Sequence, residues 1–325
     1  MKNIQIQTQM LNDQLNVLEL ATLTCELWKI TRPEINVSIE GIGNWMKNLD
    51  FDEVPIIVKA YKEEKLVGWI LLFVHDSKRL EINTWALGGH PHILPDEPNR
   101  SPIARLLLTE CINYAKRNDH TRIELCYEKK DSTEQYPVDP SLYPQINLLE
   151  EDEIVFMSLN LAEKNLSEVQ FPGKIDSILL KDAGDSDLYS CFYDSFIQSG
   201  DRNFLSETDE ERKEYFKEHF DKQDEIIDEA SIVLVEGTKL IGFTLVKPTH
   251  GEDVGHLWIM GVIPEYRGQQ LGSKLLQHAI VTLKNSGYKT MSLVVDSANE
   301  AAFKLYEKHH FVKGWKRITH AWKKE

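Results

Sequence analysis

Apolar positions recur at i, i+4 and i+8 in two separate stretches: Ile103, Leu107 and Cys111 in one, Leu271, Leu275 and Ala279 in the other. This spacing puts each trio on one face of a helix, and each stretch runs without a gap into a β-rich segment, 121–125 or 289–293. The two align at a constant offset of 168 residues, from 103 to 271. A second echo lies upstream: Lys65-Leu66-Val67-Gly68-Trp69 against Lys239-Leu240-Ile241-Gly242-Phe243. Each reads as a hairpin turn entering a buried strand, with glycine where the backbone must bend or approach another segment closely. A period this long exceeds any solenoid unit and points to two domains of one fold.

Each half reads helix–helix–strand–strand–strand–helix–strand–helix–strand, an α/β pattern with a mixed sheet. In the second half the pattern predicts helices over 186–198 and 207–220 and strands over 231–236, 240–247, 255–263 and 290–295. A polar stretch at 165–174, ending in Phe171-Pro172-Gly173, sets the expected boundary, with domains at 1–170 and 171–325. The length of 325 residues and a 42% hydrophobic content agree with two ordinary cores.

Composition narrows the classes further. No apolar run approaches the ~20 residues of a membrane span, and the polar N-terminus lacks the apolar core of a signal peptide. The four cysteines, Cys25, Cys111, Cys126 and Cys191, form no CxxC pair, which fits a reducing cytoplasm and no zinc site. A formal charge of −15 disfavours nucleic acid, because replacing phosphate counterions needs basic stripes. A negative field also suits a cationic amine, although acidity alone is ordinary solubility.

The chemistry concentrates in 255–276. An apolar strand, Gly255-His256-Leu257-Trp258-Ile259-Met260-Gly261-Val262-Ile263, turns at Pro264-Glu265 into Tyr266-Arg267-Gly268-Gln269-Gln270-Leu271-Gly272-Ser273 and opens a helix. The first turn of a helix has main-chain N–H groups without partners and a partial positive charge, so it attracts anions. Gly268 and Gly272 leave room for a phosphate to approach the main chain, and Arg267 adds charge. The loop has neither GxGxxG nor the Lys-Ser/Thr of a P-loop.

This stretch resembles the pyrophosphate loop of the GCN5-related N-acetyltransferase (GNAT) family, Gln/Arg-x-x-Gly-x-Gly/Ala, at Arg267 and Gly272. Gln270 stands where the first glycine is expected, which is tolerable if its φ stays negative. Downstream, Val294-Val295-Asp296-Ser297-Ala298-Asn299-Glu300-Ala301-Ala302-Phe303-Lys304-Leu305-Tyr306 resembles the family's strand, Asn-x-x-Ala turn and Leu-Tyr-Glu-Lys helix. The family's closing Gly-Phe is His310-Phe311 here. The resemblance implies two tandem GNAT-like acyl-CoA domains, similar in layout to mycothiol synthase, with acetyl-coenzyme A as co-substrate and no metal.

By the same resemblance, Met260, Gly261 and Val262 would meet the cofactor from a strand that splays from its neighbour. Arg267, Gly268, Gln269, Gln270, Leu271, Gly272 and Ser273 would cradle the pyrophosphate. Asn299, capping its helix, and Ala302 would meet the pantetheine arm. Tyr306 would be the general acid. His256, eight residues before Pro264, falls where relatives carry a Glu base, and histidine titrates near neutrality. The alternative is a His that only lines the sheet. Tyr193, Phe196, Phe204, Tyr215 and Phe216 are acceptor-wall candidates, or else core.

The expected activity is acetyl transfer to a primary amine, on a small molecule or a peptide, by direct attack in a ternary complex. Two rival readings stay open: a coenzyme A-binding sensor or scaffold, and a transferase for a longer acyl or aminoacyl donor. Monomer and homodimer are both compatible with the sequence. In the first half the matching loop, 94–101, has lost its glycines and carries Asp96 and Glu97, which repel phosphate. Ser101-Pro102 reads there as N-cap and first helical residue. That half is expected to be degenerate.

Overall fold

The computed structural model describes residues 4–10, 17–31, 36–47, 55–74, 78–82, 91–94, 96–129, 146–162, 169–221, 225–249 and 253–324. The elements of the first part of the chain are β1 (Ile4–Met10), α1 (Val17–Thr31), α2 (Ile39–Lys47), β2 (Ile56–Lys62), β3 (Lys65–Val74), β4 (Arg79–Ile82), α3 (Arg100–Arg117) and β5 (Arg122–Lys129). There follow β6 (Leu149–Asn160), β7 (Ile175–Leu179), α4 (Asp185–Phe196), α5 (Arg202–Ser206), α6 (Asp209–His219), β8 (Ile232–Glu236) and β9 (Lys239–Pro248). The last are β10 (Val254–Val262), α7 (Leu271–Asn285), β11 (Thr290–Asp296), α8 (Glu300–Lys308) and β12 (Val312–Lys323). Among the described residues no helix is long and apolar enough to cross a membrane.

The chain forms two compact units, one of Met1–Glu151 with Arg317–Glu325, the other of Asp152–Lys316. The first unit orders its strands β1-β2-β3-β4-β5, antiparallel except for β4–β5. The end of the chain completes it. Ile318 and Trp322 of β12 enter its core, and the Lys324 N–H donates to the Thr121 carbonyl at 2.8 Å. The second unit takes its outer strand from β6, whose residues pair with β11 from Thr290↔Asn160 to Asp296↔Ile154. Its order is β6-β11-β10-β9-β8-β7. The first unit therefore uses a segment contributed from a distant part of the chain, which no local sequence pattern reveals.

The internal repeat falls on matching elements, α3 with α7 and β5 with β11. It extends to backbone detail. A Cβ on Gly68 would lie 3.1 Å from Ile103 of α3, and one on Gly242 would lie 3.4 Å from Leu275 of α7. In both units the glycine lets the helix close on the sheet. The register shifts next to each glycine, between Ala60 and Tyr61 in one and between Leu234 and Val235 in the other. Two bulges at one place in the repeat are a shared feature of the fold.

Several expectations need correction. Both first strands, β1 and β7, go beyond the predicted pattern. Helix α3 begins at Arg100 with Asn99 as its cap residue, not at Ser101-Pro102. The Asn99 main-chain N–H and side-chain amide both donate to Glu97 Oε1, at 3.1 and 3.2 Å, and this turn draws Arg100 and Ser101 into the helix. Pro102 then occupies the third helical position, where its missing N–H costs no helical bond. The second helix expected before the last strand of the first half, and residues 165–168 of the expected linker, lie outside the described residues.

Candidate active site

The site is built where β10 and β11 part. They pair in parallel only from Val254↔Thr290 to Leu257↔Leu293, although both strands run on, to Val262 and Asp296. The parting begins at a bulge, where the register against β9 shifts between Leu257 and Ile259 and leaves Trp258 as the extra residue. Beyond it the Ile263 N–H donates to the Ile241 carbonyl at 3.1 Å. Strand alternation therefore turns the main-chain groups of Gly261 towards β9 and those of Met260 and Val262 into the gap. Gly261 also has a packing duty, because a Cβ there would lie 2.7 Å from Ser195 of α4.

Beyond β10 the chain turns at Pro264–Tyr266 into the start of α7. No side chain caps it, and its first helical residues Leu271, Gly272 and Ser273 have no earlier turn to donate to. The Lys274 N–H, bonded to the Gln270 carbonyl at 3.0 Å, is the first to be satisfied in that way. Gly268, Gln269 and Gln270 are exposed. Gln270 takes φ 62° and ψ 13°, so the condition of a negative φ is not met. The left-handed region costs an L-residue about 1–2 kcal/mol, which gives a conformational reason for the glycine of the family pattern. Gln270→Gly is expected to stabilise the protein by about 0.5–1 kcal/mol, less than the full strain because glycine gains unfolded-state entropy. Thermal unfolding checks this: a lower midpoint in the variant would contradict it.

Arg267 serves the loop's architecture. Its Nε donates to the Val262 carbonyl at 3.1 Å, and its terminal nitrogens donate to Gln198 (3.1 Å) and Ser195 (2.9 Å) carbonyls at the end of α4. The guanidinium satisfies helix-terminal carbonyls there. Ser273 Oγ lies 2.7 Å from His309 Nε2, joining the first turn of α7 to the end of α8.

Asn299 caps α8, its side chain accepting from the Ala302 N–H at 3.3 Å. The preceding turn is fixed by Asp296 at the end of β11. Its carboxylate accepts from Arg202 at 2.8–3.2 Å and from the Ala298 N–H at 2.8 Å. Burial alone would raise the Asp296 pKa, but Arg202 and the Ala298 and Arg202 N–H groups outweigh it and hold it below the usual carboxylate range. Tyr306 follows two turns into α8, buried against Phe311 with ring centroids 5.8 Å apart. Burial pushes its phenol far above the ordinary tyrosine value.

His256 sits on β10 with Nδ1 2.8 Å from Ser292 Oγ of β11. Burial pushes its pKa down to about 4, which corrects the expectation of titration near neutrality. Of the acceptor-wall candidates, Phe204 and Phe216 are core residues that surround Phe192, while Tyr193, Phe196 and Tyr215 are half-buried. Sequence reasoning missed Ser292, the Arg202–Asp296 pair and the outward turn of Trp258. Among the described residues no group of three His, Cys, Asp or Glu is placed to hold a metal.

Two strands that part, followed by an uncapped helix start, are the geometric features of the site. Residues 193–311, which lie within the second unit, match the profile of the Acetyltransferase (GNAT) family. A mycothiol acetyltransferase from Nocardiopsis dassonvillei is 42% identical over 59 residues, a match that spans 18% of each chain. The fold of the whole chain is that of tandem GNAT proteins. A GCN5-related N-acetyltransferase from Sphaerobacter thermophilus aligns at TM-score 0.62 and 14% identity, over 98% of this chain and 95% of its own. A tandem GNAT protein from the clavulanic acid biosynthesis pathway aligns at TM-score 0.57 and 13% identity, over 98% of each chain.

Proposed function

We propose that the second unit transfers acetyl from acetyl-coenzyme A to a primary amine, by direct attack of the amine on the thioester. The observation that carries this reading is the parting of β10 from β11 together with the uncapped start of α7, which follows β10 in the chain. The pyrophosphate would rest on the N–H groups from Gly268 to Ser273, where the helix dipole favours anions. The acyl arm would then run up the gap between Met260, Val262 and the Asn299–Ala302 turn. The Val262 N–H would receive the carbonyl oxygen as negative charge develops on it, a preorganised contribution that grows in the transition state. Holding both reactants in one cleft supplies much of the remaining acceleration.

Two proton movements complete the reaction: one leaves the amine, and the departing thiolate receives one. Tyr306, kept protonated by burial, is the proposed donor to the thiolate. A free thiol has a pKa of about 8.5, below that of this phenol, so Tyr306 mainly hydrogen-bonds the sulfur as it departs, and the thiolate takes its lasting proton from water. His256 stays neutral through the physiological range and is the proposed acceptor of the amine proton through water. With a pKa of about 4 it is a weak base. His256→Gln is therefore expected to lower kcat/KM by about tenfold or less. The wild-type pH profile should rise with deprotonation of the acceptor amine and show no His256 inflection between pH 6 and 7. Free-thiol release measured across pH tests this. An inflection near 6.5 that disappears in His256→Gln would contradict it.

In the first unit the equivalent helix start has its own anion. Glu97 bonds Asn99 there and lies 3.7 Å from Lys62. That carboxylate, together with Pro102 in the first turn, supports a first unit that does not bind coenzyme A.

A further inference from the structure

We infer that the acceptor amine is carried on a flat, apolar, ring-bearing body, not on a polyamine chain; this rests on the acetyl-transfer reading above. The gap between β10 and β11 opens onto one face of the second unit's sheet. His256 and Ser292 mark that face, since they are register partners and bond each other. Val294, two residues beyond Ser292, points the same way and is 43% exposed at the lip of the gap. Phe156 is paired directly across from it on β6 and stacks on Trp315 at 5.2 Å with a 10° interplanar angle. On the other lip the bulge turns Trp258 outward to 41% exposure, its ring 5.6 Å from His256 and 5.3 Å from His219 of α6.

The gap is thus flanked by exposed apolar and aromatic surface on both lips, across three strands and so about 10 Å or more wide. Apolar surface bordering a reaction cleft is a binding surface by its chemistry, because exposure there is costly unless a ligand covers it. The charge beside it narrows the ligand. The Lys247 ammonium lies 5.2 Å from the Trp258 ring centre and already holds the cation position on that indole. A second fixed cation would be repelled, so a polyamine fits poorly.

The test compares initial rates with acetyl-coenzyme A for phenethylamine, tryptamine, glucosamine and spermidine, on the full chain, its Trp258→Ala variant and its Trp258→Phe variant. The expected result is a kcat/KM for the two aryl amines at least about tenfold above the others. Trp258→Ala should raise the aryl-amine KM about tenfold, Trp258→Phe should restore most of it, and neither should change the calorimetric Kd for acetyl-coenzyme A. Equal or better rates with glucosamine or spermidine, or an aryl-amine KM indifferent to Trp258, would overturn the inference. So would cofactor binding without turnover of either aryl amine. Failure to bind acetyl-coenzyme A at all would instead overturn the reading on which it rests.

Discussion

Gly272→Glu abolishes acetyl-coenzyme A binding while the second unit stays folded. A Cβ at Gly272 meets nothing nearer than Leu305 Cδ2 at 3.7 Å, an ordinary contact, so the protein itself has room for a side chain. The new carboxylate would stand in the first turn of α7, where negative charge interacts favourably with the helix dipole. Folding stability should therefore hold or rise slightly. The same carboxylate would compete with pyrophosphate for the N–H groups of that turn and repel it. A loss of about 100-fold or more in affinity is expected, equivalent to about 2.7 kcal/mol. Gly272→Ala, which adds bulk without charge, should lose much less. Calorimetry and thermal unfolding on both variants make the check, and an unchanged Kd in Gly272→Glu would remove the loop from the site.

Tyr306→Phe lowers kcat by about 100-fold and leaves the acetyl-coenzyme A Kd unchanged. The size is that of losing one preorganised hydrogen-bond donor to the negative charge that develops on sulfur. The ring remains packed against Phe311 and within the core around Leu276 and Leu293, so only the hydroxyl is deleted. Because burial holds the phenol far above its ordinary pKa, it stays a donor across the working pH range, and the wild type should show no loss of rate from its ionisation below pH 10. Equal turnover by the two proteins, with equal affinities, would end this role for Tyr306.

What the sequence made legible follows from where its signals are local. Helix α7 and strand β11 announce themselves through Leu271, Leu275 and Ala279 and the β-rich run after them, and their copies α3 and β5 confirm the pattern by repetition. The Asn299 cap is equally local, since a cap and its N–H lie three residues apart. Strand β7 escaped because of its five residues only Ile175 is buried, and its pairing with β8 defines it. Strand β1 escaped because alternating glutamines mask its Ile4 and Ile6. The bulge at Trp258 is invisible because Leu257 and Ile259 are both buried, one in each of two clusters, so the alternation shows no break.

At the site the same division holds. The position of Gln270 was readable from a family pattern, but its left-handed backbone was not, because nothing in the residue type demands it. Arg267 reads as a phosphate ligand until α4 is seen to end beside it. The pKa of His256 depends on burial under elements distant in sequence, which leaves no trace in its neighbours Gly255 and Leu257.

The central claim, one working coenzyme A site in the second unit and none in the first, is tested most directly by calorimetric titration of the full chain with acetyl-coenzyme A. One site per chain, lost in Gly272→Glu, is the predicted result. No binding would mean that the loop carrying Gln270 does not hold the cofactor, and two sites per chain would mean that the Glu97 turn does not exclude it; either would contradict the account.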